Sequence, residues 1–226
     1  MTNLEPDFAY LLPSFHPHIA LVANGLFPNN RRVLEQIAQA TCIIACDGAG
    51  AKLNQAQIIP DYIIGDGDSV NSSTKNLAKN PYICIAEQNS NDLTKAISFI
   101  EKQLTSEHAV LIFAANGLRE DHSLGNISLL LQYAKKFKQL AMVSDFGIFQ
   151  VCQSGVSHLS CYKGQQISFF CCSAQAIIDC KELLWPLNQH ILPYLHSGTL
   201  NQATAEHLKI HTSSPILVYR AFEIKT

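Results

Sequence analysis

The chain has 226 residues, of which 47% are hydrophobic and 15% charged, with a formal net charge of -2 at pH 7. That balance describes a globular chain with a sizeable core, and it excludes electrostatic capture of nucleic acid or of an anionic membrane as a mode of binding. The length suits one large domain or two small ones, and no uninterrupted apolar stretch reaches the ~20 residues of a membrane helix.

The opening segment, Met1 to His18, carries Glu5 and Asp7 and no basic n-region, so it does not read as a secretory signal. Short and almost continuously apolar runs follow at Ile19–Ala23, Cys42–Cys46, Tyr62–Ile64, Tyr82–Ile85 and Val110–Ala114. Strands covered by helices on both faces have this composition. Two stripes at helical spacing lie among them: Leu93, Ala96, Ile97, Ile100 and Leu104, then Leu124, Ile127, Leu131 and Ala134. Asn91 or Ser90 stands where the first helix would be capped, and Asp121 stands at the start of the second. The alternation is the βαβ pattern of an α/β fold with a mostly parallel sheet. After about Asp145 it gives way to β-type runs at Ile148–Cys152, Gln166–Cys172, Ala176–Cys180, Ala205–His211 and Ile216–Phe222, separated by Ser, Gly, Asn and Pro. A smaller antiparallel β domain is expected there, with a boundary near residues 145–155 and no helix of note.

Eight cysteines are present. Cys42 and Cys46 share one expected strand and Cys171 and Cys172 are adjacent in another, and neither spacing makes a zinc ribbon or a CxxC redox pair. Reduced, mostly buried thiols of a cytoplasmic protein are the expectation, with disulfides the alternative.

Ligands of open α/β sheets bind outside the carboxyl ends of the strands, and the polar motifs of this chain fall there. Asn24-Gly25 follows the first expected strand and Asp47-Gly48-Ala49-Gly50 the second. In Pro60-Asp61-Tyr62-Ile63-Ile64-Gly65-Asp66-Gly67-Asp68-Ser69, an apolar strand ends in a glycine loop with two carboxylates two residues apart. Asp92 follows the fourth strand after a short loop, and Arg119 with Asp121 follows the fifth. Such carboxylates can hold Mg²⁺ on a polyphosphate. Arg119 can grip a phosphate through two N–H groups, Lys95 can act as a point charge, and Gly48 and Gly50 let backbone N–H groups approach an anion. No P-loop occurs, since GxxxxGK[ST] is absent from the sequence. Taken singly, each motif has an ordinary alternative. Asp47 can be a strand-end turn residue, Arg119 and Asp121 a surface ion pair, Asp92 a favourable charge at a helix start, Lys95 a solvated lysine and His122 a structural histidine.

In order, Ala23-Asn24-Gly25-Leu26-Phe27-Pro28, Asp47-Gly48-Ala49, Pro60 to Ser69, Gln88 to Ala96 and Arg119 to Asn126 resemble the motifs of the thiamine pyrophosphokinase family. Leu184-Trp185-Pro186-Leu187 and Gly198-Thr199-Leu200-Asn201 are similar to two further segments of it. The resemblance implies an α/β catalytic domain binding ATP over residues 1–147, a thiamine-binding β-sandwich over 148–226, and a homodimer. It implies transfer of a pyrophosphoryl group from ATP to the hydroxyl of thiamine, releasing AMP. Mg²⁺ would be held by Asp66, Asp68 and Asp92, while Arg119 and Asp121 would organise the phosphates and the acceptor. ATP would meet Asn24, Gly25, Asp47, Gly48, Thr94 and Lys95. Thiamine would meet Trp185, Thr199 and Asn201, with Gln88 facing them from the partner chain. Trp185 suits a thiazolium cation because indole is the strongest cation–π face. Four features depart from the family pattern: Gly67 stands for an aromatic residue, Leu200 for a serine and Asn89 for an acid, and in Asp47-Gly48-Ala49-Gly50 one glycine is displaced. Two other classes of function use the same residues. One is a Mg²⁺-dependent pyrophosphotransferase or nucleotide phosphohydrolase acting on another acceptor, and the other is a non-catalytic thiamine- or nucleotide-binding protein.

Overall fold

A computed structural model describes residues 8–12, 15–67, 72–104, 108–171, 173 and 175–224. Its two compact units meet in sequence between Ser144 and Asp145, and the short N-terminal helix α1 (Phe8–Leu11) belongs with the second unit.

The first unit is built on a parallel sheet. Its strands are β1 (His18–Val22), β2 (Cys42–Cys46), β3 (Tyr62–Gly65), β4 (Ile83–Cys84), β5 (Ala109–Phe113) and β6 (Gln139–Ser144), in the order β6-β5-β1-β2-β3-β4. Every adjacent pair is parallel. β1 and β5 are buried at all of their positions, which is why they read as continuous apolar runs. The connecting helices are α2 (Arg31–Ala38), α3 (Ala49–Gln55), α4 (Ser72–Lys75), α5 (Asp92–Phe99) and α6 (Glu120–Tyr133). Asn91 caps α5, its side chain accepting from Thr94 N at 2.9 Å, and a π-helical turn over Ile100–Leu104 extends the helix. Leu93, Ala96, Ile97 and Ile100 of the expected stripe are buried.

α6 departs from its expected stripe. Leu130 and Tyr133 are its buried residues, whereas Leu124 is 65% exposed. Its buried residues lie in the C-terminal half of the helix, and its N-terminal half is placed by the hydrogen bonds of its entry loop rather than by burial. β6 was also not expected from the sequence, because Gln139-Leu140-Ala141-Met142-Val143-Ser144 is short and carries no turn signal before it.

The second unit consists of two antiparallel sheets. β7 (Gly147–Cys152), β9 (Gln165–Cys171), β12 (Gly198–Gln202) and β14 (Ile216–Ile224) form one, in the order β12-β9-β14-β7. β8 (Gly155–Ser160), β10 (Ile177–Cys180), β11 (Leu187–Ile191) and β13 (His207–Thr212) form the other, in the order β11-β10-β13-β8. Cys152, Ile167, Phe169, Ile216 and Val218 of the first sheet join Leu159, Ile178, Cys180, Leu208 and Ile210 of the second in one apolar core, as in a β-sandwich. Free cysteines, several of them in this core, agree with the expected thiols.

Arg220 on β14 is 0% exposed. Its guanidinium donates to Leu11 O at 2.9 Å, to Gln150 Oε1 at 2.6 Å and to Ser160 O. Burial lowers its pKa to about 10. Tyr10 adds hydrogen bonds to Cys161 O (2.8 Å) and Glu206 O (2.9 Å), so α1 is stitched to the β unit by polar contacts that apolar patterning does not reveal. Arg220→Met should therefore destabilise the protein by ~3 kcal/mol or more, because the substitution leaves buried acceptors without a donor. Urea denaturation checks this, and a loss under ~1 kcal/mol would contradict it.

Candidate active site

The strand order reverses between β1 and β5: β2, β3 and β4 lie beyond β1, while β6 lies beyond β5. At such a switch point the loops leave in opposite directions and open a crevice. Here they are laced at its base by Ala23 N to Phe113 O (2.9 Å), Gly25 N to Ala114 O (2.7 Å) and Leu26 N to Asn116 O (2.8 Å). Gly25 is required by this close approach, since a Cβ there would lie 2.5 Å from Ala114 O. Above the lacing is a cleft of about 400 Å³ lined by Asn24, Gly25, Asp66, Asp92, Arg119, His122 and Asn126, among others.

An acid cluster closes one side of this region. One carboxylate oxygen from each of Asp47, Asp66 and Asp92 lies within 4.8 Å of the others. Asp47 follows β2 in the left-handed region, with φ 37°, and is 1% exposed. Its carboxylate sits over Gly65, where a Cβ would come within 1.7 Å of Asp47 Oδ1. Tyr82 donates to that oxygen at 2.8 Å. Burial raises the Asp47 pKa, and the neighbouring Asp92 and Asp66 add to the rise against the hydrogen bond from Tyr82 and the charge of Lys95. Burial also pushes the Tyr82 phenol far up, helped by the acceptor Asp47, so it remains a donor.

Lys95 is 3% exposed and lies between Asp66 Oδ2 and Asp92 Oδ1, at 3.2 Å from each. Its burial favours the neutral amine, but the hydrogen bonds it donates to Asp66 and Asp92 outweigh that and hold the ammonium charged. The solvated lysine is thus replaced by a cation that ties β3 to α5. Three carboxyl groups gather around a single ammonium. Asp47 Oδ2 is buried and has no hydrogen-bond partner among the described residues. An all-oxygen donor set, more acids than the one lysine can pair and an unpartnered buried oxygen together fit a hard divalent cation.

At the rim, Arg119 pairs with Asp121 through Nε to Oδ1 at 3.0 Å and Nη2 to Oδ2 at 2.5 Å. Both side chains are exposed, and the hydrogen bonds from Arg119 lower the Asp121 pKa to about 2. The loop before α6 is set by Gly117 N to Ser123 Oγ (2.9 Å) and Ser123 Oγ to Arg119 O (2.8 Å). Asn126 bridges the two walls, donating to Ala115 O at 2.7 Å and accepting from Asn91 Nδ2 at 3.1 Å.

Of the residues expected from the sequence, Asn24, Gly25, Asp66, Asp92 and Arg119 line the cleft, with Asp121 paired to Arg119. Asp47, expected as an ATP contact, stands with Asp66 and Asp92 in the acid cluster. Gly48 lies beneath Asn24, where a Cβ would meet Asn24 Nδ2 at 2.7 Å. Thr94 supplies its backbone N–H to the Asn91 cap, and Gln88 is exposed in the loop before α5, outside the cleft. Asp68 lies outside the described residues. His122 and Asn126, inside the motif running from Arg119 to Asn126, and Asn91 line the cleft without having been expected to. Tyr82 was expected only as part of a strand, because nothing local in the sequence links it to Asp47.

In the second unit Trp185 is 60% exposed, and Leu184, Tyr194, Leu195 and Leu200 are exposed with it. Asn201 is buried and grips the main chain of Trp185, accepting from Trp185 N at 3.2 Å and donating to Trp185 O at 2.7 Å. Its amide thus presents the indole. Thr199 Oγ1 donates to His196 O at 2.8 Å.

A parallel sheet with a ligand cleft at its switch point, beside acids able to hold a metal ion, defines an α/β enzyme of the kind that works at its strand ends. The family model for the catalytic domain of thiamin pyrophosphokinase matches residues 33–143, and that for its substrate-binding domain matches residues 147–219. The chain belongs to the thiamin pyrophosphokinase family. No curated protein sequence matches it. Among solved structures it is similar to thiamine pyrophosphokinase from Bacillus subtilis, with a TM-score of 0.75 and 23% identity over 92% of this chain and 100% of that one. The enzyme from Candida albicans has a TM-score of 0.76 and 16% identity, covering 96% of this chain and 92% of its own. Yeast thiamin pyrophosphokinase also has a TM-score of 0.76, at 13% identity over 94% and 89% of the two chains. At these identities the likeness establishes the shared fold.

Gly65→Ala should displace the Asp47 carboxylate while leaving the sheet formed. An ångström of misplacement at a reacting site can cost about a hundredfold in rate, and a loss of that order in kcat/KM with little change in melting temperature is expected. Wild-type kinetics in Gly65→Ala would remove Asp47 from the working site.

Proposed function

We propose that this chain transfers the pyrophosphoryl group of ATP to the hydroxyl of thiamine, giving thiamine diphosphate and AMP. The observation that carries this reading is the acid cluster of Asp47, Asp66 and Asp92 beside the cleft, within the segment matched as a thiamin pyrophosphokinase catalytic domain. The unit from β1 to β6 is the ATP-binding catalytic domain, and the unit from β7 to β14, together with α1, is the thiamine-binding domain. ATP occupies the cleft against Asn24, Gly25 and Gly48, its polyphosphate towards the acids.

Asp66 and Asp92, together with Asp47 and Asp68, would hold Mg²⁺. When bound, the ion neutralises phosphate oxygens and the charge that develops during transfer. Lys95 keeps Asp66 and Asp92 in place, and its own charge reduces their repulsion. Arg119 is exposed and already shaped as a fork by Asp121, so it can exchange carboxylate for phosphate oxygens at the rim with little reorganisation. Asp121 then faces the acceptor end. On the β unit the exposed indole of Trp185 stacks on the cationic ring system of thiamine, with Thr199 nearby. Asn201 acts there by holding the Trp185 main chain. The apolar surface formed by Leu184, Trp185, Tyr194, Leu195 and Leu200 supports a homodimer in which Gln88 of one subunit completes the thiamine site of the other. Among the described residues no helix is long and apolar enough to cross a membrane. With free cysteines, this supports a cytoplasmic enzyme.

Purified protein with ATP, Mg²⁺ and thiamine should produce AMP and thiamine diphosphate in equal amounts. ADP as the nucleotide product, or AMP formed without dependence on thiamine, would contradict the assignment. Asp66→Asn should remove nearly all turnover, because an amide weakens both the metal site and the Lys95 pair. Trp185→Ala should raise KM for thiamine about thirtyfold and leave KM for ATP within a few fold, as expected from loss of a cation–π contact of ~2 kcal/mol. An unchanged thiamine KM in folded Trp185→Ala would point to another acceptor.

A further inference from the structure

Asp47 directly follows β2 and Tyr82 directly precedes β4, and the two meet through the 2.8 Å hydrogen bond from the phenol to Asp47 Oδ1. Several features converge on this contact. Gly65 vacates the space the carboxylate fills, and Asp47 adopts a positive φ to reach it. Lys75 Nζ lies 4.9 Å from the centre of the Tyr82 ring, holding it by a cation–π contact. Gly67, at φ 86°, adjoins the pair: a Cβ at that position would be in van der Waals contact, 3.7 Å from Tyr82 Oη and 3.4 Å from Lys75 Nζ. Yet Asp47 Oδ2 is buried and has no partner among the described residues. A buried carboxylate oxygen without a partner is costly, and a bound cation would offset that cost.

We propose that Tyr82 is a positioning residue, whose phenol locks the Asp47 carboxylate by one oxygen so that the other is presented to the divalent cation of the site. This rests on the reading that the acid cluster binds the metal of a metal–ATP complex. Outer-shell partners of this kind orient a ligand and restrict its rotation, and their removal typically weakens metal affinity by about 10- to 100-fold.

The test uses Mn²⁺ alone, titrated into the full-length protein without nucleotide, with free Mn²⁺ read by electron paramagnetic resonance. Tyr82→Phe keeps the ring and its contact with Lys75, and should bind Mn²⁺ at least about tenfold more weakly than wild type. In an Asp47→Ala background the same Tyr82→Phe substitution should change Mn²⁺ affinity less than about twofold, because a residue acting through Asp47 has nothing left to act on. Turnover in Tyr82→Phe should recover as Mg²⁺ is raised, with KM for thiamine unmoved. Wild-type Mn²⁺ affinity in Tyr82→Phe, or an equal further loss in the Asp47→Ala background, would overturn the positioning role. If the single variant loses its fold, the Asp47→Ala comparison still decides: an equally large loss of stability there assigns Tyr82 to structure and overturns the proposal. Wild-type protein that binds no Mn²⁺ would overturn the metal reading and this proposal with it. Wild type that binds Mn²⁺ but forms no thiamine diphosphate would fail the function alone.

Discussion

An ammonium buried to the extent of Lys95 is tolerated only where anions accompany it, and that requirement organises the polar edge of the sheet. α5 begins at Asp92 and turns Lys95 inward one turn later, so one partner is supplied by its own helix. The other, Asp66, is delivered by the end of β3. Each distance is 3.2 Å, and the shared cation keeps two carboxylates close enough to meet Asp47. Breaking a buried pair by removing one partner is costly because the survivor is left uncompensated. Local geometry and charge are therefore coupled: what anchors α5 to β3 also gathers oxygen donors able to hold a further cation.

Backbone economy at the switch point supplies the rest of the cleft. The loops after β1 and β5 are joined by main-chain hydrogen bonds, which leaves side chains such as Asn24 and Arg119 available to a ligand. Gly25 and Gly65 act by lacking a Cβ, one to admit a backbone and the other a carboxylate. The second unit reverses the usual relation of polar and apolar groups. Asn201 is buried against main chain, and Trp185 is presented outward. A large exposed aromatic held by a buried amide is arranged for contact with something outside its own core.

Much of this was legible in the sequence because the α/β unit obeys simple periodicities. β2 matched its expected run, Asn91 proved to be the cap of α5, and the polar motifs fell at strand ends as sheet topology demands. What escaped were relations between distant residues. The partnership of Tyr82 with Asp47 depends on β3 lying between β2 and β4, and on the absence of a side chain at Gly65. Lys95 was legible as a point charge but not as the partner of Asp66, because that acid lies on another element, at the end of β3. The α6 stripe misled for a different reason: the first half of that helix is placed by hydrogen bonds of its entry loop, so Leu124 has no core to face. β8, β11 and β12 are short edge or near-edge strands rich in polar residues, where alternation is too brief to register.

The central claim is that Asp47, Asp66 and Asp92 together hold a divalent cation beside the nucleotide cleft. Anomalous diffraction from crystals grown with Mn²⁺ and a non-hydrolysable ATP analogue addresses it directly. A strong anomalous peak is expected within coordination distance of all three carboxylates, at ~2–2.3 Å, with the polyphosphate of the analogue on the cleft side. A Mn²⁺ peak that leaves Asp47 uncoordinated, or an analogue bound away from the edge between β1 and β5, would contradict it.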